Sequence, residues 1–210
     1  MKSDLETRER LLRAAERLFA ERGFKKVTVR EICCAAGANV AAVNYHFGDK
    51  LGLYREVMQA AIDRMRATSD AAREAGKGQP AEEQLRRYIH IIVRRVLARD
   101  TDRIHEIVMR EVHDPTPALD ALVEHGLRPR IEYLSGILAK MLRCLPSDPR
   151  VLRCVASIQS QTLAYLHSHG AIADRLGMSV EPRTAREIDE IARHIAAFSL
   201  AGVRAVAERT

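Results

Sequence analysis

The chain has 210 residues and a mass of 23.6 kDa, enough for one sizeable hydrophobic core or two small ones. Charged residues make up 30% and hydrophobic residues 47%, which excludes a disordered or collagen-like chain. The net charge of +6 with a pI near 9.4 is a mild pointer to a polyanionic partner. The excess is uneven: residues 1–66 carry 13 basic and 9 acidic side chains, residues 67–210 carry 21 and 19. The first ten residues, MKSDLETRER, are too charged to act as the apolar part of a signal peptide. Residues 154–173 lack Asp, Glu, Lys and Arg but include Gln159, Gln161, Thr162 and two histidines, a poor composition for a membrane span. A cytoplasmic protein without a membrane segment is expected.

Taken in chain order, the apolar spacing is that of helices throughout, with no convincing strand and no repeat. Ser3, Asp4, Leu5 and Glu6 read as a capping box that opens a helix ending near Gly23, with Leu11, Ala15, Leu18 and Phe19 on its apolar stripe. Thr28 to Glu31 form a second capping box, starting a short helix that closes at Gly37. Asn39 is a good N-cap for another short helix, ended by Gly48, and Lys50 begins a longer one with Val57, Met58, Ala61, Ile62 and Met65 along one face. Breaks follow at Gly76–Pro80, Pro115–Pro117, Pro146–Pro149 and Gly170–Pro182. Helices are expected at about 81–99, 102–113 and 118–144, the last kinked by Gly126 and Pro129. A final helix carries Ile188, Ile191, Ile195 and Phe198 as its apolar stripe. The fold class is therefore all-α, with nine or ten helices.

Two short helices joined at a glycine and preceded by a supporting helix make a helix-turn-helix head. Five of the nine aromatic residues (Phe19, Phe24, Tyr45, Phe47 and Tyr54) fall in this region, because so small a unit needs bulky side chains to fill its core. Tyr45 is the exception: its direction points away from the core, leaving its hydroxyl open to a phosphate. The stretch 11–54 contains A-x-x-L-F-x-x-x-G-F, then T-V-x-x-I, then A-A-G-A-N, then Y-H-F-x-x-K with Tyr54 beyond it. These motifs resemble the TetR/AcrR family of transcriptional regulators. Residues 109–129 look like the C-terminal domain of its CecR-like branch.

The resemblance implies a division into a DNA-binding head, residues 1–49, and a larger effector-binding and dimerisation domain, residues 50–210. The Asn39–Phe47 helix would enter the major groove, with Asn39, Val40, Ala42 and Asn44 at base edges. Asparagine suits adenine, and the Val and Ala methyls suit thymine. Thr28 would meet phosphate at a helix N-terminus, and Tyr45 and Lys50 match positions that hold the DNA backbone. Residues 32–48 contain no Asp, Glu, Lys or Arg. Arginine readout of guanine from this helix is thus excluded, and A·T pairs or DNA shape are expected to set specificity. Phosphate charge would be met from the flanks by Lys25, Lys26, Arg30, Lys50 and Arg55.

In the larger part, residues 154–173 and 194–203 are depleted of charge and must be covered on nearly all sides. Either the chain's own core or a second subunit could do this. The homodimer is favoured, with Ala196, Ala197, Ala201 and Gly202 allowing close approach, and a palindromic operator would demand it. The resemblance places an effector cavity among the middle helices. Tyr88, His105, Met109, Tyr133, Gln161 and Tyr165 are its candidate lining, for an unknown small molecule, and Arg110 reads as an ion-pair partner of its neighbour Glu111. No cofactor, catalytic residue or metal site is expected, since no HExxH, GxSxG, P-loop or dinucleotide motif occurs. Cys33, Cys34, Cys144 and Cys154 read as reduced thiols, with a redox role for Cys144 and Cys154 left open. Two other readings stay in view: an architectural DNA-binding protein without effector, and a metal or redox sensor built on the His and Cys residues.

Overall fold

A computed structural model describes residues 2–98, 102–166, 175–177, 182 and 184–208, and among these all regular structure is helical. The helices are α1 (Lys2–Lys26), α2 (Val29–Ala36), α3 (Val40–Phe47), α4 (Lys50–Gly76), α5 (Ala81–Leu97), α6 (Asp102–His113), α7 (Leu119–Leu122), α8 (Arg128–Leu142), α9 (Pro149–Leu166) and α10 (Ala185–Glu208). The chain forms two compact units, one of Met1–Met65 with Asp102–Gly126 and one of Arg66–Thr101 with Leu127–Thr210. The unit containing the helix-turn-helix is thus larger than residues 1–49. It recruits α6 and α7 from later in the chain, and α4 gives its first part to one unit and its last part to the other.

In the first unit, α1 begins at Lys2, so Ser3 lies within the helix instead of capping it. Gly23 breaks α1 with φ 78° and ψ 165°, a backbone conformation in which a Cβ is strained. The break turns Phe24 inward, where its ring meets Tyr54 at 4.9 Å and Phe19 at 6.0 Å; Phe19 and Tyr54 meet edge to face at 5.0 Å. Around these rings Leu11, Val27, Ile32, Val43, Leu53, Val57, Met58 and Ile62 are buried. A fully buried side chain of this size contributes about 1.5–3 kcal/mol. That is how three turns of α4 anchor two helices of eight residues each, too short to be stable in isolation.

Helix α6 packs on α1 in the same unit. Arg110 donates to the carbonyls of Ala20 and Glu21 at the end of α1, and Lys25 pairs with Asp114. The expected Arg110–Glu111 ion pair is not formed. Adjacent positions on a helix point apart, and Glu111 turns inward while Arg110 reaches across to α1. Between α7 and α8 the backbone widens into one turn of π-helix, Val123–Leu127, with Pro129 in the first turn of α8. This is the expected interruption, in π form. A Cβ on Gly126 would stand 3.3 Å from Leu122 and 3.5 Å from Met65.

The second unit is a layered bundle of α5, α8, α9 and α10. Its core holds Leu85, Ile89 and Val93 of α5, Leu134, Ile137 and Leu138 of α8, Val151, Val155 and Ile158 of α9, and Ile195, Leu200 and Val203 of α10. Asp148 opens α9 by accepting from the Arg150 amide at 2.8 Å, after the break at Pro146. Ile195 is buried, but Phe198, expected on the same stripe, is 65% exposed, and Ser199 faces inward in its place. Of the small residues expected at a subunit contact, Ala196 is inside the core, whereas Ala197, Ala201 and Gly202 are open. The stretch from 167 onward in the charge-depleted 154–173 segment, with His167 and His169, lies outside the described residues. Among those described, no helix is long and apolar enough to cross a membrane.

Candidate nucleic-acid interface

Local hydrogen bonding fixes the ends of α2 and α3. Thr28, in extended conformation, accepts from the Glu31 amide at 3.3 Å, and Glu31 Oε2 accepts from the Thr28 amide at 2.8 Å. The Thr28 hydroxyl also donates to Glu31 Oε2 at 2.7 Å, and the Arg22 guanidinium lies 2.9 Å from Oε1. That hydroxyl proton is therefore occupied within the capping box. What the start of α2 leaves open to an anion is backbone N–H.

Hydrogen bonds from the Thr28 hydroxyl and then from Arg22 pull the Glu31 carboxyl down from 4.5 to about 2. A carboxyl with a depressed folded-state pKa stabilises the fold above its ordinary pKa, and that contribution fades as pH falls through the folded value. The capping box is therefore expected to hold at pH 5 and above and to weaken between about pH 4.5 and pH 2. Thermal melts followed by circular dichroism should show a steeper acid loss in the wild type than in Glu31→Gln. Parallel acid profiles would refute the assignment.

Gly37 (φ 60°) makes the turn, with the Ala38 amide returning to the Cys33 carbonyl at 2.9 Å. Asn39 caps α3 through Oδ1, which accepts from the Ala42 amide at 2.8 Å. A two-point contact between Asn39 and adenine would need that cap to open, so Asn44 is the unencumbered amide of the pair. Val43 and Phe47 are buried, while Val40, Ala41, Asn44 and Tyr45 are exposed, Tyr45 by 77%. These four share one helical face. Ala42, expected on that face, is half-buried, and Ala41 takes its place.

The flanking cations differ in what they can reach. Lys26, Arg30 and Arg55 are exposed, but Lys25 is held by Asp114. The Lys50 ammonium lies over the Phe24 ring, 4.3 Å from its centroid, and partial burial lowers its pKa, with Glu31 opposing. At the junction behind α3, Gly52 packs so closely that a Cβ would stand 1.9 Å from the Phe47 carbonyl oxygen. Any other residue there would drive α3 off α4.

The same unit holds a buried polar network that sequence reasoning missed. Glu111 is 0% exposed and accepts from the Tyr54 hydroxyl at 2.7 Å, the Thr116 amide at 2.8 Å and the Thr116 hydroxyl at 2.9 Å. Burial first, and then the Glu111 hydrogen bond, raise the Tyr54 pKa, so the phenol remains protonated and donates. The sequence signal was a proline-flanked threonine, Thr116, five positions after Glu111.

The six candidate effector residues divide between the two units. His105 and Met109, on α6, belong to the first unit, and Tyr88, Tyr133, Gln161 and Tyr165 belong to the second. In the second, the Tyr88 and Tyr133 rings lie 6.1 Å apart, Arg130 donates to the Tyr88 hydroxyl at 3.3 Å, and Gln161 Nε2 donates to the Ser199 hydroxyl at 3.2 Å. The cavity beside Tyr88, lined also by Ile158, Gln159 and Thr162, has about 10 Å³, room for about one water. Cys33 and Cys154 are buried thiols, Cys34 is exposed and Cys144 half-buried. No cluster of three or more His, Cys, Asp or Glu among the described residues could hold a metal.

Comparison with known proteins covers most of the chain. Residues 11–57 match the family of bacterial regulatory proteins, tetR family, and residues 81–203 match the C-terminal domain of the HTH-type transcriptional dual regulator CecR. The chain is 26% identical over 181 residues to the dual regulator CecR of Shigella flexneri, covering 82% of this chain and 81% of that one. It is 45% identical over 53 residues to the repressor BepR of Brucella suis, a match spanning 25% of each chain. In fold it is similar to AibR, solved with isovaleryl coenzyme A and operator DNA, with a TM-score of 0.68 at 15% identity over 91% of this chain and 97% of that one.

Proposed function

The chain belongs to the TetR family of bacterial transcriptional regulators, with a C-terminal domain of the CecR type, and from that premise we propose a homodimeric, cytoplasmic repressor that binds a palindromic operator and is released by a small molecule. Its relatives are regulators, not enzymes. The observation that carries the DNA reading is the open, uncharged face of α3, bearing Asn44 and Tyr45 and held by the caps at Asn39 and Gly48. Asn44, Val40 and Ala41 meet base edges, with Asn39 and Ala42 at the margin of that contact. Tyr45, Lys26, Lys50 and the N-terminus of α2 at Thr28 hold phosphates. Specificity leans on A·T pairs or groove shape, because no arginine on this helix can read guanine.

Sites selected from random DNA provide the test. Asn44→Ala should cost about 1–3 kcal/mol on the selected site and little on nonspecific DNA. Lys26→Ala should weaken both alike and reduce the salt slope by about one. Equal losses of Asn44→Ala on both DNAs would remove α3 from the base-reading role.

The effector site centres on Tyr88, Tyr133, Gln161 and Tyr165. The cavity beside Tyr88, about 10 Å³, is far below the size of a drug-like ligand, so a ligand entering at that point would repack the core around it. An effector that favours the repacked state would shift the dimer toward a spacing of its two heads that misses adjacent major grooves. The filled core beside Tyr88 also favours a second reading, an effector-independent DNA-binding protein. A compound screen for release from the selected DNA separates the two.

A further inference from the structure

The first unit carries a second cationic feature, apart from α3. Arg10, Arg13 and Arg17 stand three and four residues apart on α1, and so share one face. Together with Arg103 at the start of α6 they line a cleft of about 280 Å³, floored by Ala14, Ala35 and Ala36. Among the described residues no carboxylate lines it. Glu9 pairs with Arg13 at 3.5 Å with both side chains largely exposed, and Arg10 donates to the Thr7 hydroxyl at 3.2 Å. Four arginines thus line one concavity with a single exposed carboxylate, Glu9, paired to one of them, an excess of positive charge that a bound anion would offset.

The position of the cleft separates it from the groove-facing helix. Asp4 and Arg8 are the α1 residues that meet His46 and Phe47 of α3. At about 100° per residue, the centre of the Arg10, Arg13 and Arg17 face lies roughly 190° around α1 from those two. Guanidinium forks match the geometry of phosphate oxygens, and several forks around one volume suit a chain of phosphates better than a single carboxylate. The alanine floor leaves room for a flat apolar group beside the charges.

We propose that this cleft binds a small molecule bearing a chain of phosphate groups, such as a nucleoside polyphosphate, and so clamps the start of α6 onto α1. The test uses the full chain and inorganic tripolyphosphate, with sodium chloride of matched ionic strength as reference. Tripolyphosphate should raise the melting temperature of the wild type above the salt control. Arg13→Gln/Arg103→Gln, whose parent side chains are exposed and whose own melting temperature serves as the folding check, should lose about tenfold or more in tripolyphosphate affinity. Lys26→Gln should retain it. No shift beyond the salt control, or an unchanged shift in the double variant, would overturn the site. Loss in Lys26→Gln would place the tripolyphosphate on the DNA-facing lysines instead. If the double variant weakens binding of the selected DNA by the same factor without tripolyphosphate, the cleft serves the DNA backbone and the small-molecule assignment falls.

Discussion

Glu111→Ala is expected to cost at least about 3 kcal/mol of stability. The substitution removes the acceptor for three donors at once, the Tyr54 hydroxyl and the amide and hydroxyl of Thr116. It also leaves a void where a side chain with no exposure stood. Each buried donor left unmatched costs about 1–3 kcal/mol. Tyr54→Phe should cost less, about 1–2 kcal/mol, because Thr116 still serves the carboxylate. Urea unfolding of the three proteins gives the order directly. A loss below about 1 kcal/mol for Glu111→Ala would mean that the carboxylate is hydrated and the network unimportant. Because this carboxylate joins α4 to the loop after α6, its loss should also weaken DNA binding, although Glu111 touches no DNA in the proposed complex.

Phe198→Asp is expected to turn the proposed dimer into a folded monomer. Phe198 is 65% exposed on α10, where Ala197, Ala201 and Gly202 are also open, and Leu152 is 52% exposed on α9, where Ala156 is open. Burial of a phenylalanine contributes about 1.5–3 kcal/mol, and a two-fold interface counts it in both subunits. An aspartate buried there adds desolvation of its charge. The sum exceeds about 4 kcal/mol, roughly a thousandfold in the dimer Kd. Sedimentation at micromolar concentration, with circular dichroism to show retained helix, measures it. A monomeric wild type, or a variant as dimeric as the wild type, would remove this face from the interface. Loss of operator binding alongside loss of the dimer would tie the two together, since half-sites one helical turn apart require paired heads.

What the sequence determined by itself was the local chemistry. The Thr28–Glu31 box, the Gly37 turn, the Asn39 cap and the Gly48 stop are all closed by groups within three to five residues of one another, and the break at Gly23 is set by that residue's own backbone. Residue type and spacing suffice for these, because the chain itself brings the partners together. The exposure of Tyr45 and the absence of charge on α3 were legible for the same reason. The π-turn near Gly126 and Pro129 was legible as an interruption, though not in its form.

Only the tertiary structure decided which groups meet from afar. Tyr54 and Glu111 are 57 positions apart, and Lys25 and Asp114 are 89 apart. No local pattern ties such pairs, and α6 returns to the head only because the packed helices bring it there. The same cause moved Lys50 onto Phe24, exchanged Ala41 for Ala42 on the open face of α3, and left Phe198 outside its own core. Helical periodicity gives an apolar face to within about one position, and the neighbours that cover it choose among adjacent residues. The sequence therefore named the helix-turn-helix, whereas packing determined which of its side chains remain open to a partner.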